Sequence, residues 1–226
     1  MHGFPNELAC LHDPVKGLTY YEVPAEYTDG SLPEKIRGMF IDRMERYGYV
    51  GFSYIIDNKF HNRSTYVLVG DDEGDIVMTS RITYRPPGSV IPFEDAERRN
   101  GGSYSLEEST KVVDINTYTY AKNRYKDAMP LLSAGLGRHA NAQSAQCAFC
   151  LYDEQNNNIR DAYESIGFVL SSRFPEPIQF PTIRYRNPRS RDKCDPEPVF
   201  WRIMEWDAAT ILSHANRAEN EYQVIA

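Results

Sequence analysis

Asn156-Asn157-Asn158-Ile159-Arg160-Asp161-Ala162-Tyr163-Glu164-Ser165-Ile166-Gly167-Phe168 is a short helix written with its own start and stop. Asn156 is an N-cap residue whose side-chain oxygen can accept from the backbone N–H groups left orphaned in the first turn. Gly167 supplies the left-handed conformation that ends a helix, and Phe168 then turns inward. Tyr163 lies two turns in. The run before this helix, Ala145 to Tyr152, is apolar enough to be a central strand. A central strand, a capped helix and a return to the core therefore follow one another, with a tyrosine on the helix between them.

Working outward, Lys111 to Tyr120 is dense in β-branched and aromatic residues and reads as a strand. Asp127 to Ala142 follows as a helix with Met129, Leu132 and Leu136 on one side. Upstream, Ser31-Leu32-Pro33-Glu34 is a capping box with Pro in the first turn; Ile36, Met39, Phe40, Met44 and Tyr47 then recur at helical spacing until Gly48. Thr65 to Val69 and Ile76 to Tyr84, joined by Asp71-Asp72-Glu73-Gly74, predict a β-hairpin. Residues 85–109 carry Pro86-Pro87-Gly88, Pro92 and Gly101-Gly102 and read as a long covering loop, functional or mobile. Downstream, Phe168 to Phe174 reads as a strand and a Pro/Arg-rich excursion follows. Val199 to Trp206 is the last strand, and Asp207 caps a C-terminal helix.

The 226 residues suit one large domain, expected over 31–226, behind an irregular arm over 1–30 that contains Pro5, Pro14, Gly17 and Pro24. A net charge of −7 argues against general nucleic-acid binding, which needs a basic footprint. No run approaches 18 apolar residues and Met1 to Glu7 lacks the features of a signal peptide, so the expected location is cytoplasmic. The 16 tyrosines suggest amphipathic surfaces or a lined tunnel. Cys147 and Cys150 match C-x-x-C, but on a strand they point to opposite faces and read as buried thiols. No histidine pair has metal-ligand spacing, so no metal site is expected.

This order of elements, with Tyr-Glu-x-x-Gly-Phe in its place, resembles the GCN5-related N-acetyltransferase (GNAT) superfamily. The resemblance implies an α/β (α+β) fold: a mixed, mostly antiparallel sheet of about six to seven strands, helices on both faces, and a splayed central strand pair that admits the pantetheine arm of an acyl donor. The family's diphosphate-cradling R-x-x-G-x-G/A corresponds to Arg124-Tyr125-Lys126-Asp127-Ala128-Met129, which keeps Arg124 and lacks both glycines. Without them backbone N–H groups approach phosphate poorly, and Asp127 adds a like charge. An acyl carrier protein, whose arm ends in one phosphodiester, suits such a loop better than coenzyme A, so the co-substrate is expected to be acyl-phosphopantetheine (acyl-ACP) or, second, acyl-CoA.

From about Ile36 to Phe168 the chain is similar to the acyl-homoserine-lactone synthases and the long-chain N-acyl amino acid synthases of that superfamily. Arg37, Phe40, Asp57, Phe60 and Arg81 have counterparts there, and Ile91-Pro92-Phe93-Glu94 is similar to their L-P-x-E stretch. At the E-x-S-R position the chain has Asp114-Ile115-Asn116-Thr117, keeping only the carboxylate. The resemblance implies an N-acyltransferase moving a medium or long acyl chain to an amino-acid-like amine. The alternatives are a lactone synthase using S-adenosylmethionine, a degenerate binding module, and ordinary acetylation. N-acylation needs a proton acceptor, an oxyanion donor and an acid for the thiolate. Asp114 or Glu108 would accept the proton, with Glu107 beside them, and Tyr163 would protonate the thiolate. Thr117, Tyr118, Thr119, Arg124, Lys126 and Asn156 would hold the donor; Arg37, Phe40, Asp57 and Arg81 would meet the acceptor. Arg184, Arg186, Arg189, Arg191 and Lys193 against Asp192 give a local charge of +4 that could steer an acidic carrier protein.

Overall fold

The computed structural model describes residues 4–27, 32–51, 58–120, 125–185 and 196–225. In chain order these form β1 (Ala9–Asp13), β2 (Leu18–Pro24), α1 (Leu32–Arg46), β3 (Tyr49–Val50), β4 (Ser64–Asp71), β5 (Ile76–Arg85), β6 (Glu97–Arg98) and β7 (Val112–Tyr120). They continue with α2 (Tyr125–Ala142), β8 (Cys147–Asp153), α3 (Asn157–Glu164), β9 (Val169–Leu170), β10 (Ile178–Arg184), β11 (Glu197–Asp207), α4 (Ala208–Glu221) and β12 (Gln223–Val224). One sheet runs β12-β1-β2-β4-β5-β7-β8-β11-β10-β3, with β6 on β10 and β9 on β11. Every pairing is antiparallel except β7 with β8. That exception has a local cause: the strands are joined through α2, and parallel neighbours need such a crossover.

The alternation of side chains divides the sheet's two faces into separate cores. Val67, Val69, Val113, Ile115, Cys150 and Trp206 pack against Leu132 and Leu136 of α2, Tyr163 of α3 and Ile211 of α4. On the opposite face Val112, Cys147, Phe149 and Leu151 pack with Phe40 and Met44 of α1. Cys147 and Cys150 thus belong to opposite cores as free buried thiols, and burial pushes both thiol pKa values up. Helix α1 buries Leu32, Pro33, Ile36, Phe40 and Met44, the larger of them contributing roughly 1.5–3 kcal/mol each. It gives way at Gly48, whose φ of 83° is left-handed.

Three expectations change. Residues 1–30 are not an irregular arm throughout: β1 and β2 form a hairpin, and β2 pairs with β4 from Leu18↔Asp71 to Pro24↔Thr65. Pro14 and Gly17 occupy its turn and Pro24 its last strand position, where prolines and glycines interrupt no ladder. Of the strand expected from Phe168 to Phe174 only β9 forms, while the Pro/Arg-rich excursion contains β10; with β1, β12 and the two-residue strands, the described sheet reaches twelve strands rather than six or seven. The segment after β5 is held, not loose. Buried Arg85 donates from Nε to Glu94 Oε2 (2.9 Å) and through its Nη atoms to the carbonyls of Leu106, Glu107 and Thr110 (3.2, 3.1 and 3.1 Å). Glu94 in turn accepts from the backbone N–H groups of Ile91 (3.0 Å) and Leu106 (2.8 Å). The Ile91–Glu94 stretch is therefore a structural clasp that presses Ile91 and Phe93 into the α1-side core.

Two substitutions test this packing. A Cβ on Gly137 of α2 would stand 2.3 Å from His214 Cβ of α4, so Gly137→Ala should cost roughly 1–3 kcal/mol in urea unfolding; no loss would mean that the two helices are not in contact. Glu94→Ala strands a buried guanidinium and should cost roughly 3–5 kcal/mol, whereas a cost below about 1 kcal/mol would mean a loose loop.

Candidate functional site

The central parallel ladder runs from Val112↔Cys147 to Ile115↔Cys150 and then ends. Past that point β8 stays with β11, as far as Asp153↔Trp201, and β7 stays with β5, as far as Tyr120↔Met78. The two strands therefore part. On the β5 side the register skips, Thr79 facing Thr119 while Arg81 faces Asn116, so β7 carries an extra residue there. Thr117 in that bulge has φ 56°, a conformation that β-branched residues rarely adopt. It has no register partner on either strand and lies at the head of the gap.

The gap is a cavity of about 80 Å³. Asn116, Thr117 and Tyr118 form one wall, Leu151, Tyr152 and Asp153 the other, and Asn156, Ile159 and Tyr163 a third; Phe40, Arg43 and Met44 of α1 and Trp201 close it from the α1 side. At Tyr47, Tyr49 and Asn156 it opens into a groove of about 410 Å³ that reaches Arg184. A separate groove of about 510 Å³ lies between α2 and α3 and touches Tyr120, Lys126, Met129, Asp161 and Arg217.

Asp114 sits beneath the cavity, fully buried and absent from its lining. Burial pushes its carboxyl up to about 6, against the lowering effects of a hydrogen bond from Asn116 and the Arg81 guanidinium. Asn116 connects it to the cleft, donating from Nδ2 to Asp114 Oδ2 while its Oδ1 accepts from Arg81 Nε (2.8 Å). Tyr163 lines the cleft, its ring 5.7 Å from Tyr118 and 5.5 Å from Phe168. Burial holds its pKa well above that of a free phenol, and the hydroxyl makes no hydrogen bond to a described residue.

The helix carrying Tyr163 is built as its sequence predicts. Asn156 is the N-cap, its side chain accepting from Ile159 N (3.4 Å), Gly167 has φ 89°, and Phe168 is buried against Trp206. Of the other expected site residues, Phe40 lines the cleft, and Arg37 on α1 is half-buried with no partner for its Nε among the described residues. Arg81 is wholly buried, Thr117 and Thr119 nearly so. Tyr118 turns its hydroxyl onto the Met129 and Met78 sulfurs, and Lys126 borders the α2–α3 groove. Glu107 and Glu108 are exposed ahead of the N-terminal end of β7, away from the gap, and so lie outside the cleft. Arg184 is engaged, with its Nη1 on Asp153 Oδ2. Asp57, Arg124, Arg186, Arg189, Arg191 and Lys193 lie outside the described residues.

The structure adds three residues that sequence reading missed. Asp153 and Arg43 are the only charged residues among the described residues lining the cavity, and Tyr49 Oη donates to Asp153 Oδ2 at 2.5 Å. Arg43 follows Phe40 by three positions, so helical geometry alone puts it on the same face; Asp153, at the last strand position before the helix, carried no comparable signal.

No family model and no curated protein matches the sequence. Solved structures do match in fold. FeeM, an N-acyl amino acid synthase from uncultured soil microbes, aligns with a TM-score of 0.51 at 11% identity, over 90% of this chain and 97% of its own. Spermidine N-acetyltransferase from Vibrio cholerae, in complex with CoA and spermine, aligns at 0.50 and 12% identity over 87% and 98%. The chain has the GNAT fold. TofI, solved in an apo form, aligns at 0.50 and 15% over 87% and 95%. At these identities the likeness is one of fold, and within the GNAT fold it is the parting of β7 and β8 that singles out the cleft. Among the described residues no helix is long and apolar enough to cross a membrane.

The raised carboxyl of Asp114 fixes the sign of a pH effect. A carboxyl that binds its proton more tightly folded than unfolded favours the native state most below the unfolded pKa, and that contribution is lost as pH rises towards 6. Between pH 4 and 7 the loss should be on the order of 1–3 kcal/mol, and Asp114→Asn should flatten this part of a stability-versus-pH curve. An unchanged slope in the variant would show that Asp114 ionises normally.

Proposed function

We propose that this chain is a GNAT-type N-acyltransferase that moves an acyl group from a phosphopantetheine thioester to a small, amino-acid-like amine. The observation that carries the reading is the meeting of two features at one gap: the bulged, left-handed backbone at Thr117, which has no register partner, and the phenol of Tyr163, which lines the cleft and makes no hydrogen bond to a described residue. Attack of a neutral amine on a thioester carbonyl puts negative charge on oxygen and then expels a thiolate. Backbone N–H groups around Thr117 are suited to the first charge, and the Tyr163 hydroxyl, which lines the cleft, is placed to donate a proton to the second. The amine's proton would pass through a water drawn in beside Asn116 to Asp114, whose carboxyl is raised into a useful range for a base; Asn116 holds Asp114 in place by donating to it and does not itself carry the proton.

The donor's arm would follow the α2–α3 groove. Asp127 in the exposed first turn of α2, together with the missing glycines, favours a carrier-protein donor over the diphosphate of coenzyme A. Chain length is narrowed from the sequence-based expectation. A cavity of about 80 Å³ is smaller than the roughly 150 Å³ that accepts benzene in a dry protein interior. It fits a short acyl group, and a medium or long chain would require Phe40, Met44 and Trp201 to give way.

Purified protein supplied with acyl-ACP and acyl-CoA donors of two to twelve carbons and an amine panel should yield an N-acyl product detectable by mass spectrometry, short chains turning over fastest. Tyr163→Phe should lower kcat by roughly 100-fold with little change in Tm, because the ring contacts with Tyr118 and Phe168 persist. Absence of product from every donor, or an unchanged kcat in the variant, would overturn the reading.

A further inference from the structure

The cavity's charge pattern goes one step further than acyl transfer. Among the described residues of its lining only Arg43 and Asp153 are charged, and much of the rest is aromatic: Phe40, Tyr47, Tyr49, Tyr118, Tyr163 and Trp201. One cation and one anion in a largely apolar wall are unusual company for an acceptor that carries a single charge.

Their surroundings assign them different tasks. Asp153 comes from the end of β8 and is 3% exposed. Its Oδ2 accepts from Tyr49 Oη and Arg184 Nη1, and its Oδ1 accepts from the backbone N–H of Gln155 at 2.9 Å. An ionised carboxylate has about four acceptor sites, so these three bonds orient the group and leave capacity for one more donor. Arg43 comes from α1. Its guanidinium lies 4.0 Å from the centroid of the Tyr120 ring, donates through Nη1 to the Tyr120 carbonyl (2.7 Å) and through Nη2 to Tyr47 Oη (3.3 Å). None of these partners is a carboxylate, so the stacking and the two bonds fix the plane of the guanidinium while no described residue compensates its positive charge. A planar fork held this way is suited to a carboxylate.

We propose that Arg43 and Asp153, tied to Tyr47 and Tyr49 where the cavity opens into the groove of about 410 Å³, form a two-point reader of an acceptor seated at that mouth, Arg43 taking a carboxylate and Asp153 the ammonium of a zwitterion, while the cavity itself is left to the acyl group. This rests on the acyltransferase reading for its chemistry and adds the residues that select the acceptor. Before attack the ammonium gives up one proton, through water, to Asp114, the base of the acyltransferase reading, and the neutral amine keeps a second N–H with which to donate to Asp153. Arg184 and Tyr49 act as positioning residues, since both reach the acceptor through Asp153.

The test compares an α-amino acid with its methyl ester, which lacks the anion, and with its decarboxylated amine. Binding to the full chain is measured by calorimetry, and KM and kcat are measured with a fixed thioester donor. The wild-type protein should bind the amino acid at least roughly tenfold more tightly than either analogue. Arg43→Met should abolish the preference over the ester, with the loss in KM rather than kcat. Asp153→Asn should weaken the amino acid and the amine alike; because it also removes a partner of Arg184, an Arg184→Gln, Asp153→Asn double variant checks that a surplus guanidinium is not the cause. Equal affinity for all three ligands in the wild type, or equal weakening of all three by Arg43→Met, would overturn the proposal. Selective, Arg43-dependent binding without any acyl transfer would uphold the reader and sink the acyltransferase reading. Acyl transfer without selectivity would do the reverse.

Discussion

Everything at the site depends on the brief parallel contact between β7 and β8, which pairs Val112–Ile115 with Cys147–Cys150 and then lets go. A parallel pair requires a crossover, and α2 supplies it, so both strands are anchored below the gap while each finds a different partner above it. Releasing a strand pair inside a protein exposes backbone groups that must be satisfied or made available to a ligand. The bulge at Thr117 concentrates that exposure in one place. The buried tyrosine, the Asn116–Asp114 pair and the capped end of α3 all take their positions from it.

The two cores explain how such an opening is tolerated. On the α2 side, Tyr163 is pinned between Tyr118 and Phe168, and Phe168 stacks on Trp206, which donates to the Ile166 carbonyl at 3.0 Å. On the α1 side, the Arg85–Glu94 clasp keeps the segment after β5 pressed on Phe149 and Phe174. The walls of the cavity are thus fixed from behind by interactions that do not face it. This accounts for a cavity that is small and well defined rather than broad.

Much of this was legible in the sequence because local signals and tertiary placement agree. Asn156, Gly167 and Phe168 adopt the cap, stop and inward turn that their residue types favour, and the positions of Phe40 and Met44 follow from helical period alone. The missed elements are those in which tertiary pairing overrides local chemistry. The prolines and glycine of residues 14–24 read as breakers although they stand at a hairpin's turn and strand end, and β10 hides in a Pro/Arg-rich stretch because edge pairing with β11 and β3 makes it a strand. At the site, Tyr163 and Asp114 could be singled out by position in a motif. Arg43 shares a helical face with Phe40, but Tyr49 and Asp153 could not be singled out, because β3 and β8, about a hundred residues apart, must fold together before those side chains face one cavity.

The central claim is that the parting of β7 and β8 is where a thioester donor and its acceptor meet. Backbone amide chemical-shift mapping on the isotopically labelled chain, titrated with a non-hydrolysable acyl-pantetheine analogue, tests it most directly. The account predicts the largest perturbations at residues 116–119 of β7 and along the first turn of α3, with β1 and β12 unmoved. Perturbations confined to other surfaces, or none at millimolar ligand, would contradict it.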